Sequence, residues 1–167
     1  MVSAADQAGH PTPEDDPVTA ERGSPPPPHH GRARGVDALL AAARTRYARV
    51  DVRQAYDEFH HHGAVLVDTR IAGQRAADGT VPGALVVERN HLEWRFDPEC
   101  DARLPEAVGY GIRIILLCDE GYASSLAAAS LLDLGLFRAT DVVGGFQAWR
   151  AAGLPVAAPD DSAPGVG

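Results

Sequence analysis

Six residues, 112–117 (Ile-Arg-Ile-Ile-Leu-Leu), run almost wholly apolar into Cys118, and shorter apolar runs recur at 64–68, 84–87 and 140–143. Side chains alternate between the two faces of a strand, so a strand with no polar alternation has to be buried on both. A parallel sheet covered by helices on each side meets that condition. Residues 124–134, rich in Ala and Leu and apolar nearly all round, predict a helix packed deeply against such a sheet. Gly135 then Leu136 supply its stop and the apolar contact beyond it. A last helix is expected over 146–151, ahead of Gly153 and Pro155. The fold class read from this alternation is α/β: a twisted, mostly parallel sheet of about five strands, flanked by helices on both faces.

Upstream, Val36, Leu39, Leu40, Ala43, Tyr47 and Val50 recur at helical spacing and predict one apolar stripe. Asp51, with Gln54 three residues on, reads as the N-cap of a second helix carrying Val52, Ala55, Tyr56 and Phe59, which Gly63 can end in a left-handed conformation. His60, His61 and His62 fall in its last turn. Consecutive helical residues point in different directions, so these rings suit the helix dipole rather than a shared metal. Residues 1–35 hold most of the prolines and read as a disordered tail, residues 36–157 as the domain and 158–167 as a flexible tail. A chain of 167 residues with 45% hydrophobic content supports one core. A net charge of -8 argues against partners that need a basic face, so neither nucleic acid nor membrane is expected. No apolar run reaches bilayer length and residues 1–20 lack the pattern of a secretory signal, so the expected location is the cytoplasm. Two cysteines, Cys100 and Cys118, are too few for a disulfide framework or a four-ligand zinc site, and no cofactor is expected.

Reactive groups in an open α/β sheet belong at the carboxyl ends of strands, and Cys118 stands at one, followed by Asp119, Glu120, Gly121, Tyr122 and Ala123 before a helix begins near Ser124. Such a loop, with Gly121 permitting an unusual turn, can aim several N–H groups at one sulfur. Partial positive charge at the helix N-terminus favours a thiolate, and the same cradle suits a persulfide, with Ser124 adding a hydroxyl donor. The alternative is a small buried cysteine at a strand end with no chemistry.

Three further segments name a family. Residues 65–70 (Val-Leu-Val-Asp-Thr-Arg), 79–84 (Gly-Thr-Val-Pro-Gly-Ala) and 143–149 (Val-Gly-Gly-Phe-Gln-Ala-Trp), followed by Ala152-Gly153-Leu154-Pro155, come in the order of the motifs of rhodanese-like domains. Over residues 50–156 the chain resembles that family. The resemblance implies a sulfurtransferase without a metal. Cys118 would take a sulfane sulfur from a small donor or a protein persulfide and pass it to a thiol or other nucleophilic acceptor. Residues 119–124 and Arg89 would contact substrate, Asp68 and Arg70 would tie a strand end to its neighbouring loops, and Phe146 and Trp149 would be core. Arg70, Arg75, Arg89 and Arg95 are expected on the edge that carries Cys118, either on substrate or paired with Glu88, Glu93, Asp119 or Glu120.

Departures from the family pattern bear on substrate. Asp119 and Ala123 stand where many active members carry arginines, and Thr80 stands where a histidine is usual. Two like charges about 5 Å apart at an effective dielectric near 20 repel by roughly 3 kcal/mol, cut severalfold by solvent. The acidic loop therefore predicts weak use of thiosulfate. A phosphatase would need an arginine six residues after the cysteine, where this chain has Ser124. A non-catalytic, partner-binding rhodanese-like module and a redox sensor in which Cys100 resolves oxidised Cys118 are the remaining readings.

Overall fold

The computed structural model describes residues 35–158. The two expected tails, apart from Gly35 and Ala158, lie outside the described residues. Helix α1, Gly35–Arg44, carries Asp37 in its first turn and Arg44 in its last, each complementing the helix dipole. It buries Leu40 and Ala43, whereas Val36 and Leu39 are exposed. The expected stripe stops here, because Val50 is extended rather than helical: its N–H donates to Asp141 O (3.1 Å), and Val143 N–H donates to Val50 O (2.9 Å). Pairing across the sheet edge thus overrides a helical spacing that local sequence supports.

Asp51 caps α2, Val52–His61, by accepting from the N–H groups of Arg53 and Gln54. The helix closes at His62, and Gly63 turns away with φ +68°. Strand β1, Val65–Asp68, helix α3, Ala72–Asp78, and strand β2, Leu85–Val86, follow. After a 3-10 turn at Arg89–His91 come α4, Leu92–Phe96, and strand β3, Ile114–Leu117. Helix α5, Ala123–Leu134, strand β4, Thr140–Asp141, and helix α6, Gly145–Ala151, complete the order. Each strand is shorter than its apolar run, and α3 and α4 occupy stretches with no strong apolar periodicity.

All strand pairs are parallel, in the order β2-β1-β3-β4. The sheet has four strands rather than about five; a single parallel bridge, Val50 to Val142, continues its edge beyond β4. Alternation along β3 explains its unbroken apolar sequence. Ile114 and Leu116 join Val67, Phe96 and Leu131 on one face, while Ile115 and Leu117 join Leu66, Phe146 and Trp149 on the other. Gly135 closes α5 with φ +107° and Leu136 N–H donates back to Leu131 O, the expected stop. None of the described helices is long and apolar enough to cross a membrane.

Candidate active site

From β1 the chain crosses to β2 on one side, while β3 lies on the other. The carboxyl ends of β1 and β3 therefore form the point where connections diverge, the place at which open α/β sheets bind ligands. Asp68 and Leu117 are in register there, so Cys118 leaves the sheet at that point. Thr69 covers the strand end, its N–H and hydroxyl both donating to Leu117 O (2.8 and 3.1 Å).

The loop after Cys118 is turned by its carbonyls. Cys118 O and Asp119 O accept from Phe146 N–H and Gln147 N–H in the first turn of α6 (2.8 and 3.0 Å). Gly121 O accepts from Arg44 and Arg49 (both 2.9 Å). With those oxygens satisfied outside the loop, Gly121 N–H and Ser124 N–H converge on the Cys118 sulfur at 3.2 and 3.3 Å. Backbone donors fixed in place around one atom form an anion cradle. The sulfur sits inside it, and Cys118 as a whole is 6% exposed.

Beneath the cradle lies Asp141, buried at the end of β4. Its Oδ1 accepts from Tyr47 (3.0 Å) and Arg49 Nε (2.8 Å), and its Oδ2 from Arg49 Nη2 (2.8 Å), Ser124 (3.0 Å) and Ser125 (2.9 Å). Burial, then Asp141, pushes the Tyr47 phenol well above its ordinary range, so it remains a neutral donor. Burial works against the charge on Arg49, but the hydrogen bonds and charge of Asp141 outweigh it and keep the guanidinium protonated.

The residues expected in the loop fall into different environments. Ser124 is buried and in contact with the sulfur, and Gly121 is buried with φ +78°. Asp119 is held by the Gln147 amide (2.8 Å) rather than by an arginine. Glu120 and Ala123 are exposed. Tyr122 is 56% exposed, with the Arg44 guanidinium 5.7 Å from its ring centre. Ser124 differs from expectation in polarity: its hydroxyl donates to Asp141 and accepts from the thiol (3.2 Å).

Arg89 binds Glu93 (2.8 Å), which also accepts from Ser130 on α5, so its guanidinium is engaged away from the loop. Arg70 is locked to Asp68 and Gly79 O, Arg75 donates to Arg70 O, and Arg95 donates to Ala102 O. Among the described residues, the cations hydrogen-bonded to the loop are Arg44 and Arg49, from before the first strand. Sequence reading missed them, and Tyr47 and Asp141 with them. One signal was present: a carboxylate inside an apolar strand run has to meet a cation or several donors, since an isolated buried charge is costly.

These features define an α/β domain built around one strand-end cysteine in an amide-lined loop. The chain belongs to the rhodanese-like family: residues 45–152 match the model of the Rhodanese-like domain. It is 30% identical over 110 residues to the thiosulfate sulfurtransferase GlpE of Actinobacillus pleuropneumoniae serotype 5b (strain L20), covering 66% of this chain and 93% of that one. The structure resembles RPA3614 from Rhodopseudomonas palustris CGA009, a protein of unknown function described as a possible tyrosine phosphatase. The TM-score is 0.69 and the identity 29%, over 81% of this chain and 100% of that one. It shares its fold with the human single-domain sulfurtransferase TSTD1, with TM-score 0.54 and 23% identity over 63% and 96% of the two chains.

Proposed function

We propose that this protein is a sulfurtransferase that carries sulfane sulfur as a persulfide on Cys118, in the cytoplasm, where thiols are kept reduced. The observation that carries the reading is the pair of backbone N–H groups, from Gly121 and Ser124, on the Cys118 sulfur. In the loading step the Cys118 thiolate attacks the outer sulfur of a donor R–S–SH; the S–S bond breaks, its electron pair leaves with RS⁻, and the enzyme holds Cys118–S–SH. In the second step an acceptor thiolate attacks that outer sulfur, takes it as a persulfide and returns Cys118 as thiolate. The cradle holds negative charge at both stages without a metal.

The donor is a small sulfur compound of low negative charge or a protein persulfide, and the acceptor is a thiol. Glu120 is exposed beside the cradle, and among the described residues neither it nor Asp119 has an ion-pair partner. The loop cations approach from the carbonyl side, at Gly121 O, rather than from the loop positions where many relatives carry arginine. Thiosulfate, a dianion, meets that acidic mouth first.

Incubation of the reduced protein with a neutral persulfide donor, followed by mass mapping of peptides, should place one added sulfur atom on the Cys118 peptide. A folded protein that takes up no sulfur from any donor, or takes it elsewhere, ends the proposal. Donor charge is tested separately. Initial rates should favour the persulfide over thiosulfate, and Glu120→Gln should raise kcat/KM for thiosulfate by about three- to tenfold, the range for removing one screened like charge. A Glu120→Gln variant with unchanged thiosulfate kinetics would show that the acidic loop does not set donor choice.

A further inference from the structure

Asp141 is ringed by donors and can only accept. Five donor atoms, two of them on Arg49, lie within 3.0 Å of its two oxygens, and the single hydrogen of the Ser124 hydroxyl is directed to it. What Ser124 offers the sulfur in this arrangement is therefore a lone pair. The 3.2 Å contact between Cys118 Sγ and Ser124 Oγ is then a thiol S–H donating to the hydroxyl oxygen. This arrangement suits the protonated cysteine. It does not suit the thiolate, which has no hydrogen to give and would face a lone pair.

The same network supplies the remedy. If the Ser124 hydroxyl turns its hydrogen from Asp141 to the sulfur, Asp141 Oδ2 still accepts from Ser125 and Arg49 Nη2, and Oδ1 is untouched. One of five bonds is given up at the carboxylate, and one charge-assisted bond forms at the thiolate. No backbone atom has to move. Asp141 stands on β4 and is linked by hydrogen bonds to the sulfur through this hydroxyl, so its role is distinct from that of the loop amides, which donate whatever the state of the sulfur.

We propose that the Ser124 hydroxyl is a two-position switch on Cys118, accepting from the resting thiol and donating to the thiolate, and that Asp141 is the positioning residue that holds it in the first position. Resting on the sulfur-carrier reading above, the switch gives the site a protonated, less reactive cysteine between cycles and a third donor when Cys118 departs as thiolate. In that departure the acceptor RS⁻ attacks the outer sulfur of Cys118–S–SH, RSSH leaves, and the electron pair of the broken S–S bond remains on Cys118.

The charged and titratable groups around the switch are Arg44 and Arg49 on Gly121 O, Tyr47 on Asp141, Asp119 on Gln147, and exposed Glu120. Asp141 is the carboxylate joined to the sulfur through the hydroxyl. The two substitutions that dismantle the switch therefore act in opposite senses. Ser124→Ala removes the donor to the thiolate, whereas Asp141→Asn removes a negative charge and leaves Arg49 uncompensated near the sulfur.

The test is the pH profile of Cys118 alkylation in the full chain, read by mass mapping of the Cys118 peptide. Ser124→Ala should move the profile to higher pH and slow alkylation at neutral pH by about tenfold, the usual scale for a hydrogen bond to a charged group. Asp141→Asn should move it to lower pH and speed alkylation by about threefold. A network that is only scaffolding would shift both variants together. Any result in which the two profiles fail to move apart overturns the switch. If Asp141→Asn does not fold, Tyr47→Phe replaces it: loss of one donor makes Asp141 hold Ser124 harder, so the profile should move to higher pH, and an unmoved profile overturns the assignment. Alkylation needs no sulfur donor, so a wild type that alkylates normally but never loads sulfur would refute the carrier reading and leave this result standing.

Discussion

Gly145→Ala should stop sulfur loading on Cys118 while leaving a foldable but weakened protein. Gly145 lies at φ +57°, and a Cβ there would sit 2.4 Å from Cys118 O, 2.7 Å from Asp119 O and 2.7 Å from Gly121 N. All three are backbone atoms of the active loop, and none can swing aside as a side chain can. The loop has to be pushed off α6, breaking the bonds from Phe146 and Gln147 that aim its amides inward. A displacement on the order of 1 Å at a reacting group costs about a hundredfold in rate, and the strained backbone plus overpacking costs about 2–5 kcal/mol. Gly153→Ala is the control. Gly153 is also left-handed, φ +70°, but its Cβ would meet nothing within 4 Å. Loading rates measured below the unfolding transition of both variants should fall about a hundredfold for Gly145→Ala and stay near wild type for Gly153→Ala. Equal rates in the two would mean that the packing of loop on α6 does not shape the cradle.

The second large effect is on stability. The Arg70 side chain is fully buried, donates through Nε and Nη2 to Asp68 and through Nη2 to Gly79 O, and lies over the Phe146 ring with its guanidinium carbon 3.5 Å from the centre. Arg70→Ala would leave Asp68 charged, buried and unpaired, at about 3–5 kcal/mol. Against a total of about 5–15 kcal/mol for a domain, that is a large fraction. Arg70→Lys should also destabilise, because an ammonium cannot reproduce the fork or stack on the ring. The double variant Asp68→Asn/Arg70→Met should recover part of the loss, since it removes both charges together. Urea unfolding with an unchanged m-value measures all three, and a loss below about 1 kcal/mol in Arg70→Ala would show that the pair is not what braces the carboxyl end of β1.

Features encoded in local pattern are legible from the residues alone. The unbroken apolar run into Cys118 requires burial on both faces, and so a parallel sheet between helices; Asp51 and Gly63 bound one helix, and Gly135 with Leu136 stops another. The strand-end cysteine and the glycine that lets its loop turn are likewise read from neighbouring residues. Tertiary structure alone decided how that loop is held. Arg49 and Asp141 are 92 positions apart, and Arg44 and Gly121 are 77 apart. No periodicity links such pairs, and the helical spacing that assigns Tyr47 and Val50 to a stripe points the wrong way. They meet because Val50 adds to the sheet edge beside β4, which brings the chain just before it onto the underside of the cradle. Pairing at the sheet edge and the need of a buried carboxylate for donors outweigh a weak local helical preference, and both depend on neighbours that exist only after the chain has folded.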